Sequence, residues 1–201
     1  MHAMTKIKIC GIRRLVDIEY LNELKPDYVG FVFAKSKRQV DKAHATDLIK
    51  NLRSDIKKVG VFVDEDPSVV IEIAKELKLQ VLQFHGHEDQ EYINKFKGFE
   101  IWKALKISSL QSITEIKNYK CDKFLLDNST SGSGQSFEWD LIQVKVDGSS
   151  IMLAGGLTSE NVKQGIVQLK PYGVDVSSGV ETDRFKDYKK IKEFIKKVRE
   201  L

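Results

Sequence analysis

Apolar residues in this chain fall into short runs that alternate with longer stretches of helical spacing, from one end to the other. The first run, Lys6-Ile7-Lys8-Ile9-Cys10-Gly11, alternates lysine with isoleucine. A period of two predicts a strand, with Ile7 and Ile9 on one face and Lys6, Lys8 and Cys10 on the other. Leu15, Ile18, Leu21 and Leu24 then repeat at helical spacing. Tyr28-Val29-Gly30-Phe31-Val32-Phe33 is continuously apolar, as suits a strand covered on both faces. Asp41 is the expected cap of a helix carrying Ala45, Leu48, Ile49 and Leu52. Val59-Gly60-Val61-Phe62-Val63 predicts a third strand, and Pro67 opens a helix through Val70, Ile73, Ala74 and Leu77.

The same alternation continues. Strands are expected at Val81-Leu82-Gln83-Phe84, at Glu100 to Leu105, at Lys123-Phe124-Leu125-Leu126-Asp127, at Ile151-Met152-Leu153-Ala154 and at Gly173-Val174-Asp175-Val176. Helices are expected at Gln90 to Phe96, at Leu110 to Asn118, in a short segment with Phe137, Trp139, Leu141 and Ile142, and from a Thr158 cap through Val162, Ile166 and Leu169. A last helix presents Ile191, Phe194, Ile195 and Val198. Between Asn128 and Gln135 runs a Ser/Gly-rich stretch, the longest irregular one, beyond a strand end where such loops are often functional. Eight strands alternating with helices, about every 25 residues, demand parallel strands with right-handed crossovers. Eight such units most naturally close into a single (β/α)8 TIM barrel. An open doubly wound sheet is the alternative, but Gly11-Ile12-Arg13 is not its Gly-rich dinucleotide turn.

With no linker or low-complexity tract, residues 1–201 read as one domain. Met1-His2-Ala3 resembles an expression leftover ahead of a native Met4, and residues 1–5 are expected to be disordered or foreign. A net charge of +4, spread over 33 basic and 29 acidic residues, gives no argument for nucleic acid. Lys189-Lys190 and Lys196-Lys197 read as the solvated face of the last helix. Cys10 and Cys121 lie far apart without metal-type spacing, which suits free thiols in a reducing, cytoplasmic setting. No signal-peptide pattern and no membrane-length apolar run is present. A monomer or homodimer fits equally.

In a barrel of this kind, ligands meet the loops after the strands. Those positions hold Cys10, Arg38, His85, Asp127, Gly155-Gly156, Asp175 and Ser177-Ser178-Gly179. Each also has a plainer reading. Cys10 is a small buried hydrophobe or a reactive thiol. Asp127 is a cap or an acid; Asp175 neutralises Lys8 or holds substrate; His85 belongs to a turn or to a site; Arg38 is surface charge or an anion ligand. The two glycine-containing loops after the last two strands form the phosphate pattern of barrels, where backbone amides approach an oxyanion. A thiol and a carboxyl group across a phosphate-anchored pocket suit proton shuttling more than hydrolysis, with Lys8 expected to favour the thiolate.

Several motifs then resemble one family in order. They are Lys8-Ile9-Cys10-Gly11; Val29 to Phe33 with Ser36 and Arg38; Val59 to Val63; Gln83-Phe84-His85-Gly86; Leu125-Leu126-Asp127; Ser133-Gly134 with Phe137 and Trp139; Gly155-Gly156-Leu157; and Asp175 to Glu181. The chain from Lys6 onward is similar to the phosphoribosylanthranilate isomerases, (β/α)8 enzymes of tryptophan biosynthesis. Glu138 departs from the aspartate usual in that family, and the loop after Asp127 is short by a glycine. The resemblance implies an Amadori rearrangement of N-(5′-phosphoribosyl)anthranilate without cofactor or metal. It implies Asp127 as general acid, Cys10 as general base, Arg38 on the anthranilate carboxylate and Asp175 on the sugar, with His85 also binding substrate. Gly155, Gly156, Ser177, Ser178 and Gly179 would hold the phosphate. The histidine-pathway sugar isomerase, which generally has aspartate in place of the thiol, is the enzymatic alternative. A non-catalytic phosphate-ligand binder is the alternative from another class.

Overall fold

The computed structural model describes residues 4–107, 114–128 and 148–201. Eight parallel strands close into a barrel in sequence order: β1 Lys6–Cys10, β2 Tyr28–Val32, β3 Lys57–Phe62, β4 Val81–Phe84, β5 Glu100–Ile107, β6 Lys123–Asn128, β7 Ile151–Leu153 and β8 Gly173–Val176. Between and after them run α1 Leu15–Leu24, α2 Lys42–Lys50, α3 Pro67–Glu76, α4 Gln90–Ile93, α5 Val162–Leu169 and α6 Tyr188–Arg199. A two-stranded hairpin, β9 Glu181–Thr182 with β10 Phe185–Lys186, follows β8. Closure leaves no unpaired edge, because β1 bonds to both β2 and β8.

The alternation read in the first strand governs the layering. Ile7 and Ile9 are fully buried between the sheet and the helices. Cys10 joins the barrel interior with Tyr28, Val59, Val61, Val81, Trp102, Leu125 and Met152. Tyr28, the β2 partner of Lys8, packs edge to face with Trp102, 4.9 Å between ring centres.

Local chemistry sets the helix starts. The Asp41 carboxylate accepts from the His44 amide at 2.8 Å, and Asp66 accepts from Ser68 at 2.7 Å with Pro67 beside it. Asp187 caps α6, whose buried Ile191, Phe194 and Val198 face the barrel while Lys189, Lys190 and Lys196 are exposed. Thr158 is not the cap of α5. That position falls to Asn161, whose side chain turns back to the Thr158 amide at 2.9 Å, so a bend intervenes before the helix begins.

Thr5 is tied down, its carbonyl accepting from Arg199 at 3.2 Å, against the expectation for the N-terminus. The segment expected to be helical from Leu110 appears among the described residues as a 3-10 turn, Glu115–Asn118. Asn128 ends β6 and does not begin a loop. The rest of the Ser/Gly-rich stretch, with Phe137 to Ile142, lies outside the described residues, as do residues 1–3. Among the described residues no helix is long and apolar enough to cross a membrane.

Candidate active site

Parallel register makes the first feature of the site. Lys8 and Asp175 are partners across the β1–β8 seam, so both side chains enter the barrel at the same level. They meet at 3.0 Å, with the Lys8 side chain wholly buried and that of Asp175 one-tenth exposed. Burial opposes the charge on Lys8, but Asp175 and Cys10 outweigh it and hold its pKa above the ordinary value. Two residues further, the Cys10 thiol lies over the same lysine.

Gly30 on β2 makes room for them. A Cβ on Gly30 would stand 2.7 Å from Cys10 Sγ and 3.1 Å from Lys8 Cε, so a larger residue could not share this level. Lys8 lowers the Cys10 pKa as the sequence led us to expect, yet burial is the larger influence and the thiol is pushed up. The ammonium already belongs to Asp175, which also disfavours the thiolate.

A cavity of about 370 Å³ opens above this layer at the C-terminal ends of the strands. Cys10, Arg38, His85, Asp127, Asp175, Gly155, Gly156, Ser177, Ser178 and Gly179 all line it. Asp127, at the end of β6, meets His85 Nε2 at 3.3 Å. Gly155 and Gly156 have φ of +83° and +67°, a left-handed turn that favours glycine. Gly179 packs the loop after β8 onto that turn: a Cβ there would stand 1.9 Å from the Leu157 carbonyl oxygen. Ser177 Oγ donates to the Cys10 carbonyl at 3.0 Å and so ties the same loop to β1.

Arg38 comes from the loop after β2. Its Nε and Nη2 grip the Glu181 carboxylate at 2.8 and 2.7 Å. Glu181 Oε1, which accepts from Arg38 Nε, also accepts from Lys186 Nζ at 2.7 Å, and Lys186 donates to the Ser177 carbonyl at 2.9 Å. Burial works against the Glu181 charge, but Arg38 and Lys186 together bring its pKa down to about 2. The hairpin therefore clamps the arginine at the cavity wall with one edge occupied.

Glu181 and Lys186 were not picked out from the sequence as site residues. Nor was the buried pair Lys103–Glu88, 2.8 Å apart, which holds the loop carrying His85 through Gly86 and the Asp64 amide. Among the described residues no group of three His, Cys, Asp or Glu side chains is placed to hold a metal.

The family model of N-(5′phosphoribosyl)anthranilate (PRA) isomerase matches residues 7–197. The chain belongs to this family. A relative named N-(5′-phosphoribosyl)anthranilate isomerase from Thermoanaerobacter sp. (strain X514) is 52% identical over 200 residues, covering 98% of both chains. Among solved structures, monomers of the dimeric phosphoribosylanthranilate isomerase of Thermotoga maritima superpose with a TM-score of 0.88 at 37% identity, covering 98% of this chain and 100% of theirs. A phosphoribosylanthranilate isomerase bound to reduced 1-(o-carboxyphenylamino)-1-deoxyribulose 5-phosphate superposes equally, TM-score 0.88 at 36% identity, with the same coverage. That relative is thus a barrel of the same fold solved with a phosphorylated, carboxylate-bearing molecule.

Proposed function

We propose that Asp127 and Cys10 are the acid and base of the family's isomerisation, the Amadori rearrangement of N-(5′-phosphoribosyl)anthranilate in tryptophan biosynthesis. The observation that carries this reading is that one cavity gathers both groups with the two glycine-containing loops. The Asp127 carboxyl gives its proton to the furanose oxygen while the anthranilate nitrogen lone pair forms the C1′ Schiff base and the ring C–O bond breaks. Cys10, as thiolate, takes the C2′ proton, and the released electron pair neutralises the iminium to an enolamine. Tautomerisation gives the aminoketose. Ring opening and the carbon-to-oxygen shift of the double bond are each coupled to a proton transfer, which a positioned acid and base can supply.

Gly155, Gly156, Ser177, Ser178 and Gly179 hold the phosphate by backbone approach. Arg38, its Nε edge taken by Glu181, presents Nη1 to the anthranilate carboxylate. Asp175 holds a sugar hydroxyl while neutralising Lys8, and His85 supports Asp127. The ligand is this small phosphorylated molecule, not nucleic acid or membrane, and the enzyme works as a cytoplasmic monomer or homodimer. Loss of phosphoribosylanthranilate fluorescence on adding the protein tests the reading, with Asp127→Asn and Cys10→Ser as controls. A wild-type chain that leaves the fluorescence unchanged would sink it.

A further inference from the structure

Gln83 stands inside the barrel on β4, 1% exposed, among apolar side chains. Its Oε1 is buried and, among the described residues, meets no donor. An unsatisfied buried acceptor works against folding, and a leucine would fill the same space without that penalty. The other end of the amide is engaged: Nε2 lies 3.2 Å from His85 Nδ1. His85 in turn sets its second nitrogen, Nε2, 3.3 Å from Asp127 Oδ2. The neighbouring charged groups of this loop are turned elsewhere, His87 to Asp64 and Glu88 to Lys103.

We propose that Gln83 is a positioning residue that fixes the tautomer of His85, an inference that rests on the reading of Asp127 as the acid. An amide NH2 can only donate, so Nδ1 must accept with its lone pair and the ring proton must sit on Nε2. That tautomer serves the acid in two ways. It offers Asp127 no lone pair, so the imidazole does not compete with substrate for the proton. It also leaves an N–H at 3.3 Å from Oδ2, near enough to turn onto the negative charge that develops as Asp127 protonates the substrate. The opposite tautomer would set a lone pair against that new carboxylate. Gln83, which lines the same cavity, therefore acts on the reaction through His85.

The tautomer is read directly, without turnover, from long-range 1H–15N spectra of the labelled protein, with His85→Asn assigning the signals. The expected result near neutral pH is a protonated Nε2 and an unprotonated Nδ1. Gln83→Leu should leave a mixture of tautomers and lower kcat about tenfold with KM little changed, as loss of an orienting partner does. Gln83→Glu should protonate both ring nitrogens, create a competing proton donor and acceptor pair, and lower kcat further. A wild-type ring protonated at Nδ1 alone, or on both nitrogens, overturns the proposal, and this measurement stands even if a variant fails to fold. So does a folded Gln83→Leu that keeps both the wild-type tautomer and the wild-type kcat. An inactive wild-type protein with Nε2 protonated would instead refute the assigned reaction and leave the tautomer assignment intact.

Discussion

Replacing Glu181 by glutamine removes a carboxylate from between two cations, Arg38 and Lys186. The Glu181 side chain is 7% exposed and that of Lys186 1%, so water cannot take over the pairing at Lys186, whereas Arg38, 32% exposed, stays partly hydrated. A carboxyl held at about 2 against its usual 4.5 corresponds to ~3 kcal/mol of folding stability, at about 1.36 kcal/mol per pH unit. Removing one partner of a buried pair generally costs about 3–5 kcal/mol, which agrees.

Glu181→Gln should therefore lower the unfolding free energy in urea by ~3 kcal/mol at pH 7, with an unchanged slope. Because the folded pKa lies below the unfolded one, this contribution is fully present above the unfolded value and is lost as pH falls through the folded value. The gap between wild type and variant should thus close between about pH 5 and pH 2. Lys186, already lowered by burial, should lose its proton more readily without Glu181. The freed Arg38 should raise KM more than it lowers kcat. A variant within about 1 kcal/mol of wild type at pH 7, or a gap that persists into acid, would refute the account of the clamp.

Three further outcomes follow from the geometry. Gly30→Ala should destabilise by about 1–3 kcal/mol and reduce kcat, since its methyl must displace the thiol or the Cys10 backbone; wild-type melting and turnover would show that the two can share the level. Asp127→Asn keeps shape but has no transferable proton, so kcat should fall by about 10²–10⁴; retention of more than about a tenth would remove Asp127 from the mechanism. Cys10→Ser should nearly abolish turnover, and iodoacetamide should inactivate faster as pH rises, because burial raises the thiol's pKa and alkylation, like proton abstraction, draws on its thiolate fraction. Cys121, its pKa pushed up by burial to about 11, is the internal control: activity should track alkylation at Cys10 alone.

The barrel was legible in the sequence because its periodicities are local. Lysine alternating with isoleucine in β1 announces which face is inward, and Asp41 and Pro67 mark helix starts within a few residues of the groups they serve. The positions of the site residues could be read because a barrel gathers its strand ends. What could not be read depends on distances across the ring. Glu181 lies in a motif noticed from its spelling, but its work is done 143 residues away on Arg38. Lys103 and Glu88 look like ordinary solvated charges until the fold closes around both. The Lys8 influence on Cys10 had the right sign, yet its outcome turned on burial, which no local pattern measures. Thr158 failed as a cap because its hydroxyl serves the Glu160 amide inside a turn, and the helix begins only after that turn, at Asn161.

The seam between the first and last strands has a consequence for synthesis. Lys8 must wait 167 residues for Asp175, and the Cys10 carbonyl waits as long for Ser177. While the chain is emerging from the ribosome, the thiol and its lysine are present without the anion or the loop that complete them. Loops of that span close late, after the local helices and adjacent strand pairs have formed. Turnover in this protein is thus a reporter of ring closure: a nascent or truncated chain lacking β8 has neither Asp175 nor the Ser177 loop and so no working pocket.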